Sequence, residues 1–142
     1  VLQLAIKLMG SRNRWGDVAS EMATFVRDYG FSVVENFVGH GIGKNMHEDP
    51  QVPNFCSPSF RRKHDFELEP GLVIAVEPMV NMGTKKVRVL PDFWTQSTND
   101  GKYSAHFEHT IAITDGGPLV LTAAPQSGEG KEMTGVVTTT EG

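Results

Sequence analysis

The chain has 142 residues, of which 39% are hydrophobic and 21% are charged. This length and composition fit one soluble domain and exclude a large multidomain enzyme, although half of such an enzyme would fit equally well. Thirteen basic and seventeen acidic side chains give a net charge of −4, and because the basic residues are scattered we expect no nucleic-acid partner.

The first two predicted elements are helices. Residues 2, 5, 6 and 9 are apolar, which is the spacing of one helix face, and the pattern ends at Gly10. Because this pattern begins at once, without a capping residue, we expect the upstream half of the helix to be missing from the chain. A second apolar stripe runs over residues 15–29 and ends at Gly30, which predicts a longer amphipathic helix.

The middle of the chain is predicted to be strand and loop. Residues 31–38 are rich in β-forming side chains. The glycines and prolines that follow, over residues 39–58, predict a long loop region without regular structure. Residues 72–76 form a continuous apolar run, which is typical of a strand buried on both faces.

The C-terminal part is predicted to end in a hairpin. Residues 107–114 alternate between two faces, and the turn at residues 115–117 leads into a final strand at residues 119–121. Helices followed by antiparallel strands indicate the α+β class. The last residues, 123–142, have little to bury and are expected to be a disordered tail.

Two stretches carry histidines on constrained backbone. His40 lies among the alternating glycines at positions 39, 41 and 43, which we expect to leave its side chain open to the close approach of a ligand. The spacing of these glycines fits neither a dinucleotide-binding fingerprint nor a phosphate-binding loop. His47 and Glu48 begin like a zinc-protease helix, but Gln51 stands where the second histidine belongs, so that site is excluded.

Two glutamates lie beside predicted strands. Glu77 ends the buried apolar run, and Glu108 lies on the polar face of the alternating strand. Because an unpaired charge beside so apolar a segment is costly, Glu77 needs a partner. His40 and these two carboxylates form a mixed nitrogen and oxygen donor set, which favours Mn, Fe, Co or Zn over Ca or Mg. Three ligands would hold one ion weakly, and the residue pattern does not identify further ones.

Three motifs carry a family resemblance: GHGIGKNMHEDPQVPNF at residues 39–55, LEPGLVIAVEPMVN at residues 68–81, and FEHTIAITDGGPLVLT at residues 107–122. Together they resemble the C-terminal half of a type I methionine aminopeptidase, which has the pita-bread fold. The resemblance covers residues 1–122 and implies one domain with an antiparallel sheet covered by helices. The sequence Glu108-His109-Thr110 separates the chain from prolidases, whose final glutamate is typically followed by aspartate.

The resemblance implies removal of the N-terminal methionine from nascent polypeptides. The reaction would use two divalent ions (Co, Mn, Fe or Zn), and a hydroxide bridging them would attack the first peptide bond. His40, Glu77 and Glu108 match metal-binding positions of the family, and Glu108 matches the carboxylate that bridges the two ions. Glu77 also matches the residue that shuttles the proton. His47 matches the catalytic histidine that binds the scissile amide of the substrate.

Two further residues are assigned to the substrate by the resemblance. Met46 stands where the family often carries an aromatic residue of the methionine pocket, and its flexible thioether could contact the methionine side chain. Trp94 would help to wall the same pocket. These two residues, together with His47, make up the expected substrate-binding set.

The chain also departs from the family pattern. The two metal-binding aspartates and the substrate histidine of the N-terminal half have no counterpart here, so we expect this chain to be a fragment that is inactive alone. Two alternatives stay open. The first is a non-catalytic pita-bread interaction domain, and the second is a related X-Pro aminopeptidase or prolidase.

The remaining expectations concern location and partners. Cys56 is the only cysteine, which excludes an internal disulfide and is compatible with a reducing compartment. No apolar run approaches about 20 residues and no signal-peptide pattern is present, so we expect a cytoplasmic protein without a membrane partner. For the full-length protein, the resemblance implies a monomer that acts near the ribosome exit.

Overall fold

A computed structural model describes residues 1–124 of the chain. This part contains helices and antiparallel sheets, so the predicted α+β class is confirmed. The predicted disordered tail lies outside the described residues from position 125 onward. Within the described range, no helix has both the length and the apolar character needed to cross a membrane.

The two predicted helices are present. Helix α1 spans Leu2–Met9 and helix α2 spans Trp15–Asp28, one residue shorter than its apolar stripe. A third, short helix, α3, spans Pro58–Lys63 and was not predicted. It begins where the Ser57 side chain accepts a hydrogen bond from the Phe60 amide, and proline at its first position suits a helix start.

Within residues 1–124, the strands form three antiparallel sheets. The largest has five strands in the order β10-β9-β4-β2-β3, the second has the order β1-β5-β8, and the third is the β6–β7 hairpin. In chain order the strands are β1 (Ser32–Val33), β2 (Gly39–Gly41), β3 (Glu48–Val52), β4 (Val73–Val76), β5 (Met79–Asn81), β6 (Val87–Val89), β7 (Gln96–Thr98), β8 (Ser104–His106), β9 (His109–Thr114) and β10 (Gly117–Val120).

The predicted buried strand and terminal hairpin are confirmed. Strand β4 lies in the centre of the five-stranded sheet, and three of its four residues are buried. Strand β9 pairs with β4 on one side and with β10 on the other. Thr114 pairs with Gly117, so the turn between β9 and β10 has two residues, Asp115 and Gly116. The bounds differ from the prediction: β9 begins at His109 rather than at residue 107, and β10 begins at Gly117, which was predicted to belong to the turn.

The prediction of an unbroken loop over residues 39–58 was wrong. Strands β2 and β3 pair within this segment, and β2 also pairs with β4. Glycine, usually a breaker of regular structure, allows close strand packing here: a Cβ at Gly39 would lie 2.1 Å from the Ala75 carbonyl oxygen, and one at Gly41 would lie 2.1 Å from the Asp49 carbonyl oxygen. Of the β-rich residues 31–38, only Ser32–Val33 form a strand.

The hydrophobic core lies between the helices and the five-stranded sheet. Trp15 of α2 is fully buried, stacks on Phe66 and donates its indole N–H to the Pro53 carbonyl at 2.9 Å. This contact ties α2 to the segment that follows β3. The buried core residues are Leu2, Ala5, Leu8, Met9, Trp15, Val18, Ala19, Met22, Val52, Phe60, Ile74, Val76, Ile111 and Ile113.

A buried carboxylate fixes the start of α2. Asp65 accepts a hydrogen bond from the Gly16 amide at 2.8 Å, and its other oxygen lies 3.1 Å from Arg14 and 3.4 Å from Arg61. Its side chain is only 1% exposed. The Arg14 side chain makes no cap of its own, so a distant acidic group replaces the local cap and also meets the positive end of the helix.

The β6–β7 hairpin carries exposed aromatic side chains in its turn. Phe93 is 91% exposed and Trp94 is 85% exposed. Phe93 also adopts a positive φ of 58°, which is unfavourable for a residue with a bulky side chain. Asp92 supports the turn by accepting hydrogen bonds from Thr95 and from the Trp94 amide, and these hydrogen bonds hold the pKa of Asp92 below its ordinary value.

Candidate functional site

Two strand pairs place Glu77 opposite Glu108. Val76 pairs with His109 at the end of the β4–β9 ladder, and Met79 pairs with His106 at the start of the β5–β8 ladder. Two residues lie between these pairs on each strand, so the same register continues through the junction. Glu77 therefore faces Glu108 where the chain passes from the five-stranded to the three-stranded sheet.

This register brings two like charges together. Side chains directly opposite each other in an antiparallel pair have Cβ atoms about 4.5–5.5 Å apart. Two carboxylates on such directly opposed residues repel each other. The Glu77 side chain is 14% exposed, so water screens it poorly. A bound cation or a proton would remove the repulsion, which makes this pair suited to a metal.

His40 approaches Glu77 from strand β2. Its Nε2 lies 3.7 Å from Oε1 of Glu77, and its Nδ1 lies 2.9 Å from the Gly41 carbonyl oxygen. A proton on Nδ1, donated to that carbonyl, leaves the lone pair of Nε2 free to bind a metal. The flanking glycines were expected to leave space for a ligand. At Gly39 and Gly41 that space is instead occupied by backbone carbonyl groups of the neighbouring strands.

The loop between β2 and β3 carries Met46 and His47. The His47 ring lies 4.2 Å from the His40 ring, measured between centroids, with an angle of 49° between their planes. Glu48 holds this loop because its carboxylate accepts hydrogen bonds from the backbone and side-chain N–H groups of Asn45. The same carboxylate packs so closely on Gly43 that a Cβ there would lie 2.2 Å from it.

His106, which the sequence motifs did not predict as a site residue, also belongs to this cluster. Its Nε2 lies 3.4 Å from Oε2 of Glu77. The hydrogen-bonding contact with Glu77 raises the pKa of His106 above its ordinary 6.5, and the charges of Glu77 and Glu108 raise it further against partial desolvation. The available signal was the spacing: residues 106 and 108 differ by two, so in an extended strand they share one face.

Most of these side chains, although not His106, border a surface pocket of about 490 Å³. It contains the predicted site residues His40, Met46, His47, Glu77 and Glu108. Trp94 is not among the residues that line it, so its place in the substrate pocket remains a prediction. The other lining residues are Ile42, Gly43, Lys44, Asn45 and Thr110.

The donor set fits a divalent transition metal. One ligand atom from each of Glu77, His106 and Glu108 lies within 4.8 Å of the others. Imidazole nitrogen combined with carboxylate oxygen suits Mn, Fe, Co or Zn better than Ca or Mg. His40, on the other oxygen of Glu77, adds a second imidazole to the same set.

Asn54 supports Glu77 from behind. It is fully buried and donates its side-chain N–H to the Glu77 backbone carbonyl at 3.2 Å. The preceding residue, Pro53, is the one that accepts the hydrogen bond of Trp15. The backbone of Glu77 is therefore connected to helix α2 through these two hydrogen bonds and the peptide link between Pro53 and Asn54.

Comparison with known proteins identifies the family. Residues 1–115 match metallopeptidase family M24. The chain belongs to this family. Since the match includes every residue of the candidate site, the glutamates and histidines described above lie within the M24 region of the chain.

Proteins similar to this chain include methionine aminopeptidases. The chain is 53% identical over 110 residues to the methionine aminopeptidase of Clostridium perfringens, covering 78% of this chain and 43% of that protein. It is 40% identical over 121 residues to the methionine aminopeptidase of Escherichia coli K12, covering 85% of this chain and 44% of that protein. The chain therefore spans less than half the length of these relatives. The resemblance seen in the sequence motifs is confirmed.

A solved structure supports the predicted architecture. The methionine aminopeptidase of Thermotoga maritima matches with a TM-score of 0.78 and 43% identity, over 87% of this chain and 48% of that one. The prolidase of Pyrococcus furiosus matches with a TM-score of 0.58 but only 19% identity, which shows a shared fold alone. The predicted class, part of a pita-bread fold, is confirmed.

Proposed function

We propose that this chain contributes a metal site and a substrate site to an enzyme that removes N-terminal methionine from polypeptides. The observation that carries the proposal is the register that sets Glu77 opposite Glu108, with His40 beside Glu77 and His47 beside His40. Two facing carboxylates and an imidazole are ligands for divalent metal ions. The identity to methionine aminopeptidases adds the reaction class.

The metal ligands proposed here are His40, Glu77 and Glu108. When bound, two divalent ions (Co, Mn, Fe or Zn) would supply Lewis-acid polarisation of the scissile carbonyl and an activated water nucleophile. Glu108 is proposed to bridge the ions. The remaining ligands would come from residues outside this chain, since the chain spans less than half the length of its relatives.

Glu77 and His47 are proposed as the catalytic residues. The carboxylate of Glu77 is mostly buried at the pocket wall, where it can accept a proton from the nucleophile and transfer it to the leaving amine. His47 is exposed on its loop and is free to donate a hydrogen bond to the scissile amide. The contacts of Glu48 with Asn45 limit the movement of this loop.

The substrate pocket is proposed to include Met46, His47 and Trp94. Met46 lines the pocket and is 71% exposed, so its thioether is accessible to a substrate side chain. Trp94 is assigned to the pocket by the family resemblance alone. We further propose that the substrates are nascent polypeptides with N-terminal methionine, and that the full-length protein acts as a cytoplasmic monomer near the ribosome exit.

The proposal is tested with the protein expressed from its complete reading frame. A Met-Ala-Ser peptide is incubated with the enzyme and Mn²⁺ or Co²⁺, and the released methionine is measured with and without a chelator. We expect metal-dependent release that falls by at least about 100-fold in the Glu77→Gln variant, because a proton-transfer group is lost. Glu67→Gln is the control, since Glu67 lies outside the pocket.

Two results would contradict the proposal. Preferential cleavage of an X-Pro peptide would favour an X-Pro aminopeptidase or prolidase. Absence of both metal binding and cleavage would favour a non-catalytic interaction domain. Inspection of the coding sequence offers an independent check, because the proposed enzyme needs an in-frame segment carrying two further metal-binding aspartates.

A further inference from the structure

His106 lies on the same face as Glu108 and diagonally across from Glu77. Strand β8 ends at His106, and the register that pairs Met79 with His106 continues to Glu77 and Glu108. Residues two apart along one strand share a face, and a long side chain reaches the diagonal neighbour on the partner strand. The backbone therefore directs the imidazole toward the two carboxylates.

The distances place this imidazole within reach of an ion shared with both carboxylates. His106 Nε2 lies 3.4 Å from Oε2 of Glu77, and the ligand atoms of Glu77, His106 and Glu108 all lie within 4.8 Å of one another. Nitrogen and oxygen ligands stand about 2.0–2.2 Å from a divalent zinc-like ion, so two ligands of one ion are at most about 4.4 Å apart. Small side-chain rotations would bring the three atoms to that spacing.

The surroundings of His106 differ from those of the adjacent strand histidine. His109 Nδ1 lies 2.9 Å from the Thr122 hydroxyl, which gives that imidazole a neutral structural partner. His106 instead contacts a charged group, the carboxylate of Glu77. The His106 side chain is 47% exposed. His40 lies on the other oxygen of Glu77, so each oxygen of this carboxylate faces a different imidazole.

We propose that His106 is a direct ligand of a divalent transition-metal ion held together with Glu77 and Glu108. This inference rests on the proposed function, because it shares two carboxylates with the metal site proposed there. It adds a nitrogen donor to the Glu108 side of the site. The expected ion is one that accepts mixed imidazole and carboxylate ligands, such as Co²⁺, Mn²⁺, Fe²⁺ or Zn²⁺.

The test uses Co²⁺ and the protein expressed from its complete reading frame, with ¹⁵N-labelled histidine. Paramagnetic NMR distinguishes imidazoles that bind the ion from those that do not. Isothermal titration calorimetry gives the Co²⁺ affinity of the wild type and of the His106→Gln, His40→Gln and His64→Gln variants. His64 is an exposed residue at the end of α3 and serves as the matched control.

We expect a hyperfine-shifted His106 imidazole in the wild type, and its loss in His106→Gln. Loss of a residue that only hydrogen-bonds to a metal ligand typically lowers metal affinity by about 10- to 100-fold. Loss of a direct ligand should cost at least as much, so the Co²⁺ affinity of His106→Gln should fall by at least this factor. His64→Gln should bind as the wild type does. An unshifted His106 in Co²⁺-loaded wild type would overturn this inference and leave the proposed function standing. No Co²⁺ binding by the wild type would overturn both.

Discussion

Replacing Gly39 with alanine should damage both the fold and the metal site. The added Cβ would lie 2.1 Å from the Ala75 carbonyl oxygen and 3.2 Å from the Cβ of Val52, whereas ordinary contact begins at 3.4 Å. The nearest obstacle is backbone in the central strand β4, so no side-chain rotation can relieve the clash. Strand β2 would have to move away from β4 by more than about 1 Å.

The expected loss of stability is about 3 kcal/mol. Overpacking in a core costs about 1–3 kcal/mol, and weakening of the β2–β4 hydrogen bonds adds about 0.5–1.5 kcal/mol for each bond lost. Because β2 also carries His40, its displacement would separate the His40 imidazole from Glu77, which now lies 3.7 Å away. Metal affinity should therefore fall in the folded fraction as well.

Gly10→Ala provides the matched control. Gly10 has a φ of −79°, and a Cβ there would meet the Lys7 carbonyl oxygen at 3.5 Å and Pro118 at 3.6 Å, which are ordinary contacts. The free energy of unfolding of the Gly10→Ala variant should equal that of the wild type or exceed it by up to about 1 kcal/mol. Urea unfolding followed by circular dichroism measures both variants. If Gly39→Ala unfolds within about 0.5 kcal/mol of the wild type, the close-packing explanation is refuted.

Three further predictions concern the rest of the fold. Phe93→Gly should raise the free energy of unfolding by about 1 kcal/mol, because it removes a side chain from a positive-φ position; an unchanged urea midpoint would contradict this. Asp65→Ala should lower the free energy of unfolding by about 2 kcal/mol, because Asp65 loses its contacts with the Gly16 amide and the Arg14 guanidinium. Glu67→Ala removes only an exposed ion pair with Arg14 and should lower it by less than about 1 kcal/mol in the same assay. The hydrogen bond from the Thr84 amide lowers the pKa of Asp100 below its ordinary 3.8. The ionised Asp100 carboxylate therefore stabilises the fold fully above pH 3.8, and this stabilisation is lost as the pH falls through the lower pKa of the folded state. NMR titration should give that low pKa, and Asp100→Asn should lose less stability on acidification than the wild type.

The sequence predicted those elements whose patterns are long or strongly apolar. The α2 stripe and the β4 run both have buried faces that repeat over several residues, so their periodicity is readable without tertiary information. The two-residue turn between β9 and β10 has its own glycine signal. Strands β5 to β8 have only three residues each, which is too short for a period to emerge.

The missed features depend on contacts between distant segments. Gly39 and Gly41 look like loop residues until the carbonyls of Ala75 and Asp49 occupy the space that a side chain would fill. His106 gains its place beside Glu77 from the pairing of β5 with β8, which local sequence does not reveal. The individual site residues are thus visible in the motifs, but their arrangement follows from strand register.

That register makes the site more sensitive to chain length than to many substitutions. Inserting or deleting one residue between Val73 and Asn81, or between Ser104 and Thr114, would turn one carboxylate to the opposite face of the sheet while leaving the composition almost unchanged. The β6–β7 hairpin lies between these two segments and could change length without altering the pairing of Glu77 with Glu108. Family members that retain this chemistry should therefore vary in length at the hairpin and keep the number of residues fixed in the two strand segments.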